Sequence, residues 1–162
     1  MSKKAIVVYF TSSLHTETVS KYIAEITGSD LCEIKPVVRY TTQYSSLVKQ
    51  ASEEIKNGIK PEIEKMPFDI NSYDTIYVGS PNWCGTVVPV VSTFLTKYDF
   101  TDKIILPFIT HGGGGMGHAD KTIQELCPSA HVKEVLQIQG DGGKMLRGSV
   151  MGWLENVGET HL

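Results

Sequence analysis

Residues 5–28 read AIVVYFTSSLHTETVSKYIAEITG, and this stretch decides the fold. The run Ala5–Phe10 is apolar throughout, the pattern of a strand buried on both faces of a parallel sheet. A cluster of hydroxyls follows at once, Thr11, Ser12, Ser13 and Thr16, with Leu14 and His15 among them. Beyond it Val19, Tyr22, Ile23 and Ile26 recur at helical spacing, and Gly28 supplies the stop. A buried strand that turns directly into an amphipathic helix is half of a β-α-β unit. The turn lies at the carboxyl end of the strand, where such sheets bind ligands.

Outward from this unit the alternation repeats about five times along the chain, which predicts an α/β fold with helices on both faces of a parallel sheet. Leu31–Ile34 is a short strand and Thr75–Gly79 a third. Pro89 opens a helix carrying Val91, Phe94, Leu95 and Tyr98. Lys103–Thr110 is the fourth strand, with Pro107 required to fall where no ladder donor is needed. A helix over Ala119–Leu126 and a strand over Val132–Ile138 follow. A last helix shows Leu146, Val150, Trp153, Leu154 and Val157 before Gly158. The longer connection at about 36–67 is an insert with a helix of its own. Tyr44, Leu47, Val48, Ala51 and Ile55 form the stripe of that helix, and Asn57-Gly58 and Pro61 close it. With 162 residues, 41% of them hydrophobic and 20% charged, residues 1–162 are expected to form a single domain. A chain of this length buries about 70% of its unfolded surface.

Three loops fall at the carboxyl ends of the first, third and fourth strands. The first, Thr11–Thr16, enters a helix whose first-turn N–H groups are unpaired and whose positive dipole end favours an anion. It contains no Lys, Arg or Gly. Helix capping competes as an account of these hydroxyls, but a cap needs one of them, so a phosphate site is favoured. The second loop is Ser80-Pro81-Asn82-Trp83-Cys84-Gly85-Thr86. Its Trp83 suits either stacking on a planar ligand or packing onto the domain. Trp83-Cys84-Gly85 opens like a dithiol redox motif, yet the second cysteine position is Val87, so Cys84 is a spectator thiol. In the third loop His111 precedes Gly112, Gly113, Gly114 and Gly115. Gly112, Gly114 and Gly117 fit the dinucleotide pattern G-x-G-x-x-G, with Glu134 as a ribose partner, but that pattern belongs after the first strand. Close approach of backbone to a flat ligand is the better account, and a flexible surface loop is the alternative.

A phosphate site, an aromatic platform and a backbone-rich wall together suit a phosphorylated planar ring. Here the sequence resembles the flavodoxin-like proteins, and among them the short bacterial flavodoxins. Their first loop reads Y-F-S-x-T-G-N-T and their third-strand loop P-x-W-x-G-T. The matching residues are Tyr9, Phe10, Thr11, Ser13 and Thr16, then Pro81, Trp83, Gly85 and Thr86. The resemblance implies a doubly wound five-stranded parallel sheet in the order 2-1-3-4-5, with FMN at the switch point. It places Thr11–Thr16, Pro81–Thr86 and His111–Gly115 against the cofactor. Leu14 stands where the family has Gly, and His15 where it has Asn. A leucine fits such a turn without strain only at negative φ.

The formal net charge is −3 and no long basic run occurs, which argues against nucleic acid and anionic membrane surfaces as partners. The first residues are too briefly apolar for a signal peptide, and no run approaches a membrane span. Cys32, Cys84 and Cys127 lack metal-ligand spacing and read as reduced thiols of a cytoplasmic protein. The histidines lack it too, so no metal is expected. The resulting expectation is an FMN protein in electron transfer, or a small flavin-dependent oxidoreductase. Its partner would be a redox protein or a small-molecule electron acceptor, with no catalytic side chain of its own. The rivals are a non-redox binding module that has lost flavin and a nicotinamide-dependent dehydrogenase using the glycine loop.

Overall fold

The structure, a computed structural model, describes residues 4–159. Strands β1 (Ala5–Tyr9), β2 (Asp30–Glu33), β3 (Thr75–Pro81), β4 (Ile104–His111), β5 (His131–Val132) and β6 (Leu136–Gln139) form one parallel sheet. The strand order is β2-β1-β3-β4-β5, with β6 also beside β4, as in the expected 2-1-3-4-5 arrangement. Helices α1 (His15–Thr27), α2 (Tyr44–Lys56), α3 (Pro89–Lys97), α4 (Ala119–Leu126) and α5 (Leu146–Asn156) complete it.

Alternation along the strands separates two cores. Ile6, Val8, Ile76, Val78, Ile105 and Ile109 point to the side covered by α3 and α4, where Val91, Phe94 and Ile123 meet them. Val7, Tyr77, Leu106 and Phe108 point to the opposite side, against Val19 and Ile23 of α1 and Val150, Trp153 and Leu154 of α5. The central strands are therefore buried on both faces, which is why they read as unbroken apolar runs. Each such Val, Leu or Ile contributes about 1.5–3 kcal/mol by burial.

The expected fifth strand is two short pieces. Its first part pairs Ile104 with His131 and Ile105 with Val132, and the Lys133 N–H donates to the Ile105 carbonyl at 2.9 Å. The next rung would need an N–H from Pro107, which has none. The ladder resumes at Phe108–Leu136. In the gap the Glu134 carbonyl turns away to accept the Trp153 indole N–H at 2.8 Å, and its carboxyl group takes the Asn156 amide.

The insert closes on itself at its base. Pro36 and Ile63 form an antiparallel bridge, and Thr93 of α3 donates to the Pro61 carbonyl at 2.7 Å. The predicted stripe of α2 does not face the core. Ala51 is buried, but Tyr44 is 81% and Val48 41% exposed, and the second buried residue is Glu54. Among the described residues no helix is long and apolar enough to cross a membrane.

Candidate cofactor site

Because β3 lies between β1 and β4, the loops that leave their carboxyl ends stand side by side at one edge of the sheet. The first loop turns sharply at Leu14, whose φ is 69°. Leucine thus occupies the left-handed region that the family fills with glycine, the strained one of the two cases open to it. The turn keeps its shape and carries the strain, about 1–2 kcal/mol for a residue with a Cβ. The consequence is an open helix end. Among the described residues, the backbone N–H groups of Ser12, Ser13, Leu14, His15 and Thr16 have no protein acceptor.

The hydroxyls of this loop divide by role. Thr11 accepts the Glu17 N–H at 3.3 Å and so caps α1. Ser12 and Ser13 are exposed, and among the described residues their side chains have no partner. Thr16 departs from the expectation of a phosphate-facing hydroxyl. It is 1% exposed, and its hydroxyl shares a 2.8 Å hydrogen bond with Thr110 of β4. Its backbone N–H, with no acceptor among the described residues, is what it leaves to the turn. His15 is exposed at the first helical position.

The second loop is a tight two-residue hairpin. Trp83 and Thr86 exchange backbone hydrogen bonds at 3.0 and 3.2 Å, with Cys84 at φ 55° and Gly85 at φ 88° in the tip. Both central residues lie at positive φ, as such turns require. Asn82 organises the loop from beneath. Its side-chain oxygen accepts the Gly85 N–H at 2.8 Å, and its amide nitrogen donates to the Gly115 carbonyl at 2.7 Å. Pro81 ends β3, and Thr86 is buried with its hydroxyl against Thr122 at 2.7 Å. Cys84 is an exposed free thiol. Trp83 is half-buried, edge-to-face with Phe10 at 5.5 Å and with Tyr40 at 5.0 Å.

The glycine loop is held by side chains from three sides. The His111 Nδ1 accepts the Gly113 N–H at 3.0 Å, so a neutral His111 carries its proton on Nε2. The Gln137 side-chain oxygen accepts the Met116 N–H at 3.0 Å. The third clamp is Asn82. Gly117 sits so close to the second loop that a Cβ there would lie 2.2 Å from the Gly85 oxygen. A Cβ at Gly112 or Gly114 would instead point into open space. That is a bare backbone wall with room in front of it.

Of the insert residues Arg39, Tyr40 and Tyr44, which the sequence offers as a border to the flavin, Tyr40 meets Trp83 and Tyr44 is exposed, whereas no motif pointed to Gln137 or Glu54. The alternation Leu136-Gln137-Ile138-Gln139, with its glutamines outward, was the available signal for Gln137. Glu134 is bound to α5, and the loop with the dinucleotide spacing follows β4 rather than β1. Among the described residues no three His, Cys, Asp or Glu side chains are grouped to hold a metal. Burial, with Glu33 and Glu17 nearby, pushes Tyr9 beneath the first loop up to about 12.

These residues fit FMN. Five open N–H groups and two free hydroxyls at a helix N-terminus can bind a phosphate without a basic side chain. The Trp83 hairpin offers an aromatic surface and the Gly112–Gly114 loop a bare backbone to a flat ring. The fold and this edge define a doubly wound α/β protein with a site for a phosphorylated planar cofactor at its switch point. The family model described as flavodoxin matches residues 4–157, and the chain belongs to that family. FMN is the cofactor this membership assigns to it. Comparison with curated proteins gives no match.

Solved structures agree. A protein of Bacteroides eggerthii assigned as a flavoprotein superposes with a TM-score of 0.85 at 22% identity, over 97% of this chain and 99% of that one. One of Bacteroides uniformis gives 0.82 at 25%, over 93% and 99%. A flavoprotein of Lactobacillus acidophilus in complex with FMN gives 0.77 at 25%, over 94% and 99%.

Proposed function

We propose that the protein binds FMN through these three loops and works as an electron carrier. The observation that carries the reading is the open N-terminus of α1 beside a bare glycine wall and a half-buried Trp83. When bound, FMN supplies one- and two-electron transfer through its ring. The chain supplies everything else. Ser12 and Ser13 donate to the phosphate together with the N–H groups of Ser12–Thr16. Asn82, His111 and Gln137 fix the backbone that faces the ring edge, so its donors and acceptors are set before the cofactor arrives. The three loops contain no Lys or Arg, so nothing there neutralises added negative charge on a reduced ring, which favours a low potential.

None of the three loops carries a basic cluster able to grip a nicotinamide 2′-phosphate, and this favours a carrier over a nicotinamide-using enzyme. The electron donor and acceptor are then a redox protein or a small molecule that reaches the exposed cofactor edge. Anaerobic mixing of the FMN-loaded protein with excess NADH or NADPH tests the choice. Slow, unsaturable loss of flavin absorbance is expected, becoming fast when a flavodoxin reductase is added. Fast saturable bleaching by the nicotinamide alone would make the protein a flavin-dependent oxidoreductase instead.

A further inference from the structure

Helix α2 buries a side chain that the core does not explain. Glu54 is 9% exposed, on a helix whose apolar stripe is largely outside. Both of its carboxyl oxygens are engaged. The Tyr40 hydroxyl donates to Oε1 at 2.8 Å, and the Gln50 amide donates to Oε2 at 3.2 Å. A buried carboxyl group is costly unless its oxygens are hydrogen-bonded, and here they are. What the arrangement fixes is Tyr40.

Tyr40 has little else to fix it. It lies between the base of the insert and α2, and among the described residues its backbone makes no hydrogen bond with another backbone group. Its hydroxyl stays protonated far above the usual tyrosine range, because it is buried and bound to Glu54 beside that group's charge. It is therefore a persistent donor. The ring it anchors stands edge-to-face with Trp83 at 5.0 Å and 84°, and with Phe10 at 5.9 Å and 77°. Phe10 and Trp83 meet at 5.5 Å and 83°. Phe10 extends β1 and Trp83 follows β3, so the sheet holds both backbones. Tyr40 alone comes from the insert.

We infer that Tyr40 is a positioning residue for Trp83: the insert, acting through Glu54, sets the angle at which the Trp83 ring meets the cofactor. The consequence for FMN rests on the function proposed above, whereas the ring geometry belongs to the protein alone. The chain contains two tryptophans, Trp83 and Trp153. Trp153 donates to the Glu134 carbonyl at 2.8 Å on the far face of the sheet, so it serves as an internal control.

The test is fluorine NMR of the full, FMN-free chain labelled with 5-fluorotryptophan, with Trp83→Phe assigning the two resonances. Tyr40→Phe keeps the ring and removes the donor. The Trp83 resonance is expected to shift and broaden while that of Trp153 stays in place. Glu54→Gln keeps an acceptor oxygen for Tyr40 and should hold Trp83 at the parental position. In FMN titrations Tyr40→Phe should bind about threefold to tenfold more weakly, the equivalent of one hydrogen bond, and quench flavin emission less. A Trp83 resonance unmoved in Tyr40→Phe, or one that moves together with that of Trp153, overturns the inference. Failure of the parent chain to bind FMN overturns the proposed function instead and leaves the fluorine result to be read by itself.

Discussion

The two parts of the candidate cofactor site are held in opposite ways. The Ser12–Thr16 turn is left open: among the described residues five N–H groups and two serine hydroxyls have no partner, and the bend is made by a strained Leu14. The second and third loops keep bare N–H groups too, at Cys84, Gly112, Gly114, Gly115 and Gly117 among the described residues, but their side chains and backbones are tied to one another. The second and third loops are joined by Asn82, by the His118 N–H donating to the Gly85 carbonyl at 2.7 Å, and by the near contact of Gly117 with Gly85. A phosphate is a compact anion whose oxygens can satisfy many donors at once, so a site for it can wait with donors exposed to water. A planar ring offers few polar atoms and large faces. Its binding depends on walls that already stand at the right spacing, and those need internal ties.

The sharpest way to break this contrast is Gly117→Ala. The new Cβ would strike the Gly85 oxygen at 2.2 Å, at a position whose φ of 59° also disfavours it. The two ring-side loops must separate or the backbone must shift, at a cost of about 3–5 kcal/mol. Urea unfolding should show the loss. If stability falls by less than about 1 kcal/mol, the ring side is not the clamped half.

Alkaline pH tests the buried core beneath both halves rather than either one. Tyr9 beneath the first loop and Tyr73 at the opposite end of the sheet are held up to about 12 against the usual 10.0, Tyr9 by burial with Glu33 and Glu17, Tyr73 by burial and its bond to Asp30. Burial likewise raises Cys127 from 9.0 to about 11. Each raised value means that the folded state holds its proton more tightly than the unfolded chain does. The associated stability is complete below pH 9 and is lost as pH rises toward 12. Thermal melts from pH 8 to 12 should fall steeply only above about pH 9–10; a flat profile contradicts these burials.

A pair of substitutions sharpens the comparison directly. Ser12→Ala with Ser13→Ala removes two donors to a charged phosphate and should weaken FMN by about 2 kcal/mol while leaving riboflavin unchanged. Asn82→Ala leaves the Gly85 N–H and the Gly115 carbonyl without their partner. It should cost about 1–3 kcal/mol of stability and weaken FMN and riboflavin equally. Calorimetric titration with both ligands separates the patterns. Equal losses in the serine variant would mean that the first loop does not hold the phosphate.

How far the sequence disclosed this site follows from what each feature depends on. Ala5–Phe10 and Thr75–Gly79 were legible as strands because burial on both faces leaves no charged residue in the run. The three loops were legible because strand ends fix where they fall. The stripe of α2 misled: Tyr44 and Val48 have helical spacing, but the insert turns that face outward and buries Glu54. The Thr16 hydroxyl was assigned to phosphate because its partner, Thr110, is 94 residues away in the chain. The broken fifth strand could be read only once Pro107 was known to face it. Long-range pairing decides all three, and local pattern does not carry it.

Leu14 gives the smallest expected effect and the most direct reading of the open half. At φ 69° its Cβ crowds the following backbone, which costs about 1–2 kcal/mol relative to an unstrained residue. The side chain recovers little of this, since it is 62% exposed. Leu14→Gly removes the strain but adds unfolded-chain entropy, a penalty of about 0.5–1 kcal/mol. The two terms differ by up to about 1.5 kcal/mol in favour of glycine, so the variant should melt higher, if only by a few degrees. FMN affinity should rise with it if the strain lowers the population of the open turn. Thermal melts of the FMN-free protein and an FMN titration measure the two effects separately. A variant that melts lower than the parent would show that the Leu14 side chain makes contacts worth more than its strained backbone, and that the phosphate side is not the loosely held half.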